Sequence, residues 1–273
     1  MLLLKKIILF SLVAIIVASR ALDLPAQAAD EEKSFDFNAG KTGYVQNPGG
    51  TFSDAEIARG ESVQYLGLPS KLLKPGVKEP EPTDADLALI SRFPKLRILS
   101  MWGKSVTKEG IAQLAKCQKL TSYRHAGLEN SDELVPVLCQ ACPQLVDLQL
   151  PNCDLTDKSA DAIAKLEKLE QLELRGTKIT NEFFMGRTFS NDITRVDLLQ
   201  TGVDSQVIAH LPPNVTSLDL SGTKVDGKSL PELLKRKNLK YLELPFYNFS
   251  PDEQEALSRQ LPNTMINGHR YAD

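Results

Sequence analysis

Few residues of this chain have the types and spacing that chemistry requires. Cys139-Gln140-Ala141-Cys142 has the C-x-x-C spacing of a redox pair or half of a zinc site. Pro143 follows where haem attachment needs His, and no second ligand pair stands at a suitable distance. Asn38-Ala39-Gly40-Lys41-Thr42-Gly43 contains the Gly-Lys-Thr core of a phosphate-binding loop, but Phe35 stands where that motif needs its first glycine. The chain has 3 His, no zinc-protease motif and no G-x-S-x-G. Catalysis needs acid, base or nucleophile groups that converge on one point. The candidates here are isolated, so the expectation is a protein that is not an enzyme and has no cofactor and no metal site.

The elements that would hold such residues repeat. L-x-x-L-x-L-like units start at Val63, Leu96, Leu120, Leu145, Leu169, Ile193, Val215 and Leu239, and after the first gap they recur every 22 to 25 residues. A fixed period in this range signals a stacked solenoid. Positions three and five residues on are apolar in every unit except at His125, which predicts a short strand with one face inward. His125 falls in that inward column, so it reads as a buried neutral histidine. Ten residues on, seven of eight positions are apolar, Asn130 being the exception. Thr107, Ser131, Thr156 and Thr180 then stand where a helix N-cap would accept orphan amide hydrogens. Leu114, Leu138, Ile163, Leu211, Leu233 and Leu257 would face back toward the strands. Arg187 interrupts this last column, and Phe183, Phe184 and Phe189 are expected to fill in. One unit cannot bury its apolar face alone, but stacked neighbours can.

The pattern L-x-x-L-x-L-x-x-[N/C/T]-x-L resembles the leucine-rich repeat family from about Val63 onward. The resemblance implies an α/β solenoid of about eight repeats, with parallel strands on the concave face and helices on the convex face. It also implies that Cys153, Thr177, Thr201 and Thr223 form a ladder of polar groups bonded to the backbone of the adjoining turn. Lys104, Leu128 and Tyr247 depart from that ladder. Arg175-Gly176-Thr177-Lys178-Ile179-Thr180 and Ser221-Gly222-Thr223-Lys224-Val225-Asp226 resemble the G-T-x-[IV]-[TD] variant of secreted bacterial repeat proteins. The stretch from Cys142 to Asp157 is similar to the cysteine-containing subtype of ubiquitin-ligase adaptors. No F-box precedes it, so the exported reading is preferred.

The same register fixes what the strands would present outward. Four residues on from each start come Ser100, Arg124, Gln149, Glu173, Asp197, Asp219 and Glu243, the last four an acidic column on consecutive strands. That column is expected to face solvent, offset in part by Arg175 and Arg195, with Trp102 at one end and Tyr241 at the other. These nine side chains, Trp102, Arg124, Glu173, Arg175, Arg195, Asp197, Asp219, Tyr241 and Glu243, are the candidate ligand-binding residues. Cys117 and Cys142 each lie three residues before a unit start, so they occupy equivalent places in adjacent coils and are the candidate disulfide.

Lys5 and Lys6, an apolar run from Ile7 to Ala18 and Ala26-Gln27-Ala28 have the layout of a secretory signal peptide. The formal net charge of -3 does not point to nucleic acid. Residues 1–28 hold three cations and one anion, which leaves −5 on a chain starting at Ala29. The expected organisation is a signal peptide (1–28), a tail and capping segment (29–62), the solenoid (63–260) and a C-terminal cap (261–273). A short capping helix is expected near 53–59, and residues 74–82 form a Pro-rich insertion in the first repeat. The expected function is an exported, secreted or periplasmic module that binds a protein, peptide or glycan on its concave face. That partner would carry basic groups to match the acidic column, and no stable membrane insertion would follow cleavage. The rival expectation is a structural envelope protein that self-associates.

Overall fold

The computed structural model describes residues 65–67, 81–93 and 96–270. The expected signal peptide, the capping helix near 53–59 and most of the Pro-rich insertion lie outside the described residues. Strands form one ten-stranded sheet in strict chain order. They are β1 (Tyr65–Gly67), β2 (Ile98–Trp102), β3 (Ser122–Ala126), β4 (Asp147–Gln149), β5 (Gln171–Glu173), β6 (Arg195–Asp197), β7 (Ser217–Asp219), β8 (Tyr241–Glu243), β9 (Met265–Ile266) and β10 (His269–Arg270). Neighbours from β1 to β9 are parallel, whereas β10 returns antiparallel to β9 through a turn at Asn267 and Gly268, both at positive φ.

On the opposite side run α1 (Asp84–Ile90), α2 (Lys108–Gln113), α3 (Ser131–Ala141), α4 (Ala160–Ile163), α5 (Leu230–Leu233) and α6 (Pro251–Gln260). Helices were expected along this side of the stack. The coils after β5 and β6 carry only 3-10 turns, Asn181–Phe183 and Ser205–His210. In the first of these, Phe183, Phe184 and Phe189 pack with ring centroids 5.1 to 5.6 Å apart and fill the volume a helix would occupy. In the second, Arg236 from the following coil donates to the carbonyls of Ile208, Leu211 and Pro212, satisfying the backbone where the chain turns extended at Leu211 ahead of Pro212 and Pro213.

The core runs the length of the stack. From Leu96 onward the start, three-on and five-on positions of every coil are buried, as are Leu114, Leu138, Ile163, Leu211, Leu233 and Leu257. Truncating any one of these to Ala would cost roughly 2–5 kcal/mol, because the rigid neighbouring coils cannot collapse into the hole.

Two further columns lock coil to coil. Seven residues after each start from Leu96 to Val215, Gly103, Gly127, Asn152, Gly176, Gln200 and Gly222 all have positive φ, between 57° and 98°. This left-handed residue turns the chain out of the strand, and from Gly103 to Gln200 its amide still donates to the next coil, as Gly176 does to Leu199 O at 2.8 Å. Just past most of the N-caps, a short polar side chain clasps the cap of the next coil. Asp84 accepts from the amide and hydroxyl of Thr107, and Asp157 does the same for Thr180. Asp132 accepts from both groups of Thr156 and also from Ser159 Oγ. Asn181 and Asp204 exchange two bonds in the same place. Thr156 and Thr180 cap as expected, accepting the amides of Lys158 and Glu182, whereas Thr107 holds the cap position without a side-chain cap hydrogen bond. Ser131 is the first helical residue instead, because Asn130 takes the cap position in the left-handed conformation.

Candidate functional site

The side of the sheet away from the helices carries the candidate binding residues. Register places Glu173, Asp197, Asp219 and Glu243 directly opposite one another on β5 to β8, so the acidic column exists as read. Adjacent strands are about 4.8 Å apart, and like charges in that relation repel. Arg175 Nε reaches Glu173 Oε1 at 2.8 Å, and Arg124 Nη1 reaches the same oxygen at 3.2 Å from two strands away. Arg124 also bonds Gln149 Oε1, Gln149 bonds both oxygens of Asp147, and Ser122 Oγ donates to Asp147 Oδ2. The network therefore spans β3 to β5 and neutralises the first carboxylate of the column. Arg195 makes no ion pair with the column, and its charge is felt by Asp147. Arg124 supplies the second counter-charge. The sequence signal was its place four residues from a unit start, in the same column as the acids.

Asp197 departs further from expectation. It does not face solvent: only 8% of its surface is exposed. Its side chain is short, and its neighbours on both sides belong to flanking strands, so Glu173 with its arginines on one side and Asp219 on the other shade it. Burial raises its pKa to about 6, and the carboxylates of Asp219 and Glu173 add to the shift. The amide of Leu199, donating to Oδ1 at 3.0 Å, pulls the other way, as does the charge of Arg175. Asp219 is half-buried. Its Oδ1 accepts the amide of Ser221 at 2.8 Å, and it makes no ion pair among the described residues. At the C-terminal end Tyr241 is 53% exposed, and Tyr247 is 79% exposed. Trp102, on β2 at the other end, is half-buried.

The residues that suggested chemistry in the sequence are otherwise engaged. His125 is fully buried, with Nε2 donating to Gly103 O at 2.8 Å and Nδ1 accepting from Tyr123 Oη at 2.9 Å. A carbonyl can only accept, so this pair of contacts sets the neutral tautomer. Burial depresses the imidazole pKa to about 4, against the bond to Gly103 and the charge of Glu81. The Cys117–Cys142 bridge is not formed. All four cysteines are free and buried, and the Cys117 and Cys142 thiols each point 3.7 Å from a carbonyl of the preceding coil, that of Ile90 and that of Leu114. Equivalent positions give the two thiols parallel outlooks, which directs each at the backbone before it. Burial pushes Cys139 and Cys142 up to about 12, so the C-x-x-C pair carries almost no thiolate near neutral pH. Of the polar ladder, Thr177, Thr201 and Thr223 bond the carbonyl three residues back in their own turn. Cys153 alone links adjoining turns, between His125 O and the amide of Leu128.

An open groove of about 530 Å³ lies beside Thr223, Lys224, Asp226, Tyr247 and Asn248. Three of its polar side chains serve the backbone and its turns: Thr223 bonds Leu220 O, Asn248 bonds Val225 O, and Asp226 bonds Ser205. Among the described residues no cluster of three or more His, Cys, Asp or Glu could hold a metal ion, and no helix is long and apolar enough to cross a membrane.

No protein-family model and no curated protein matches the sequence. Among solved structures, the chain is similar to an internalin (inlF) from Listeria monocytogenes, with a TM-score of 0.51 and 14% identity, over 78% of this chain and 56% of that one. An internalin C2 (inlC2) from the same organism aligns with a TM-score of 0.44 and 18% identity, over 67% of this chain and 72% of that one. The chain thus spans little more than half the length of the first internalin. Identity this low speaks to architecture alone, and on that architecture and its own repeat register this protein is a leucine-rich repeat solenoid.

Proposed function

We propose that the chain is a non-catalytic, exported binding module that holds a protein or peptide across its sheet face, with basic groups of the partner meeting the C-terminal half of the acidic column. The observation that carries this reading is the charge layout of that face. Glu173 is neutralised by Arg124 and Arg175, whereas Asp219 makes no ion pair among the described residues and lies in register between Asp197 and Glu243. The exposed ring of Tyr241, on the same strand as Glu243, adds contact area of the kind that anchors interfaces. The sheet backbone bonds within itself, so recognition falls to side chains. The outer side is occupied with stacking and capping.

The test is selection from a displayed random-peptide library on the full chain, followed by affinity measurements from low to high salt. Binding should weaken with salt, because charges near a surface are screened over about 8 Å at physiological ionic strength. It should be lost in Asp219→Lys/Glu243→Lys and kept in Lys165→Glu, which lies on the helical side. Selected peptides that bind the double variant unchanged would refute the site. Export is tested separately: the N-terminus of material recovered outside the cytoplasm should lie near Ala29.

A further inference from the structure

We propose that the ligand is an extended segment carrying an acidic and a basic side chain two residues apart, the acid seated on Arg195 and the base on Asp219. This rests on the sheet-face reading above and narrows it. Three arginines stand on that face, and two of them are already spent on Glu173. Arg195 is half-buried on β6 and makes no ion pair or side-chain hydrogen bond among the described residues. Around it register sets Gln171 on β5 and Ser217 on β7, both able to hydrogen-bond a carboxylate, with Asp147 one strand beyond Gln171 near enough to feel its charge but held by Ser122 and Gln149. A guanidinium in that position presents its donor fork to a carboxylate of a partner.

Asp219 is the complementary group. It sits on the next strand, and register sets Asp197 opposite it, two residues along β6 from Arg195. A step of one strand, about 4.8 Å, combined with two residues along it, about 6.6 Å, separates the two backbones by about 8 Å. The two make no ion pair with each other, and Asp219 Oδ1 accepts the Ser221 amide instead. In an extended peptide, residues i and i+2 point to the same side about 6.6 Å apart, which flexible side chains extend to this span. A partner carrying only basic groups would meet Arg195 as a like charge. A partner carrying only acidic groups would meet Asp197, Asp219 and Glu243. The arrangement therefore favours a bipolar segment over either uniform one.

The experiment uses the full chain and two displayed libraries that differ at one position. One has an acidic residue two places from a basic one, in both orders, and the other has two basic residues there. Enriched acid-base peptides should lose about tenfold in affinity for Arg195→Glu, since attraction becomes repulsion, and lose less for Arg195→Lys, which keeps the charge but not the fork. Changing the peptide's acid to Lys should restore binding to Arg195→Glu, which also shows that this variant is folded. If the two-base library is enriched instead, and Arg195→Glu tightens its binding while Asp219→Lys abolishes it, the bipolar ligand is wrong and the sheet-face site stands. If neither Arg195→Glu nor Asp219→Lys alters the affinity of any enriched peptide, or no peptide is enriched, both proposals fall.

Discussion

Replacing Asp197 by Asn should stabilise this protein at neutral pH and leave it unchanged in acid. The native state holds the Asp197 carboxyl at about 6 against an ordinary value of 3.8, so it prefers the protonated form. A group of this kind helps the fold below the unfolded value and loses that contribution as pH rises through the folded one. The window is therefore about pH 4 to 6, and over it the stability held by this residue falls by up to about 3 kcal/mol. Asn cannot ionise, has nearly the same shape, and can still accept the Leu199 amide through its side-chain oxygen. The variant should thus gain up to about 3 kcal/mol over the parent at pH 7.5 and close to nothing at pH 4. Urea unfolding of both proteins in buffers from pH 4 to 8 measures this. The difference between them cancels groups that titrate alike in both, including His125 and the hydrogen-bonded carboxylates of Glu81 and Asp226. A difference independent of pH, or a variant less stable than the parent at pH 7.5, would show that the carboxylate is ionised and compensated in the native state.

Three other outcomes follow from the coil contacts. Gln200, a non-glycine residue with φ 57, should gain about 1 kcal/mol as Gln200→Gly, while Gly176→Ala should lose at least as much, because its Cβ would press on the Asn152 side chain; thermal midpoints decide both. Asp132→Ala removes acceptors for the Thr156 amide, the Thr156 hydroxyl and Ser159, and should cost about 2–3 kcal/mol, with the Thr156 amide exchanging faster with deuterium; unchanged exchange would mean that water replaces the clasp. In NMR titration His125 should stay neutral down to about pH 4 with its proton on Nε2, so stability is lost as pH falls from 6.5 toward 4; a midpoint near the ordinary 6.5 would contradict its burial.

What could be read from the sequence was whatever depends on period. The start, three-on and five-on columns determined which faces are buried, and because a strand alternates strictly, they also determined which residues share the outer face, including all four acids of the column. The phenylalanine cluster was legible for the same reason: apolar volume missing at Arg187 had to be supplied close by. Period says nothing about height or direction, and those were decided by the tertiary structure. Asp197 occupies an outward position but is buried, because its environment depends on the length of side chains about 24 residues away on either side. Cys117 and Cys142 are equivalent in register but unbridged, because equivalence aims both thiols the same way. Arg124 was an expected member of the face, yet its pairing with Glu173 across two strands depends on its reach. The clasps of Asp84, Asp132 and Asp157 were present in the sequence as acidic residues in the first helical turn, but a local reading assigned each helix end to its own coil. In a stacked solenoid the nearest partner of a surface group lies one repeat away, where only the assembled fold brings the two together.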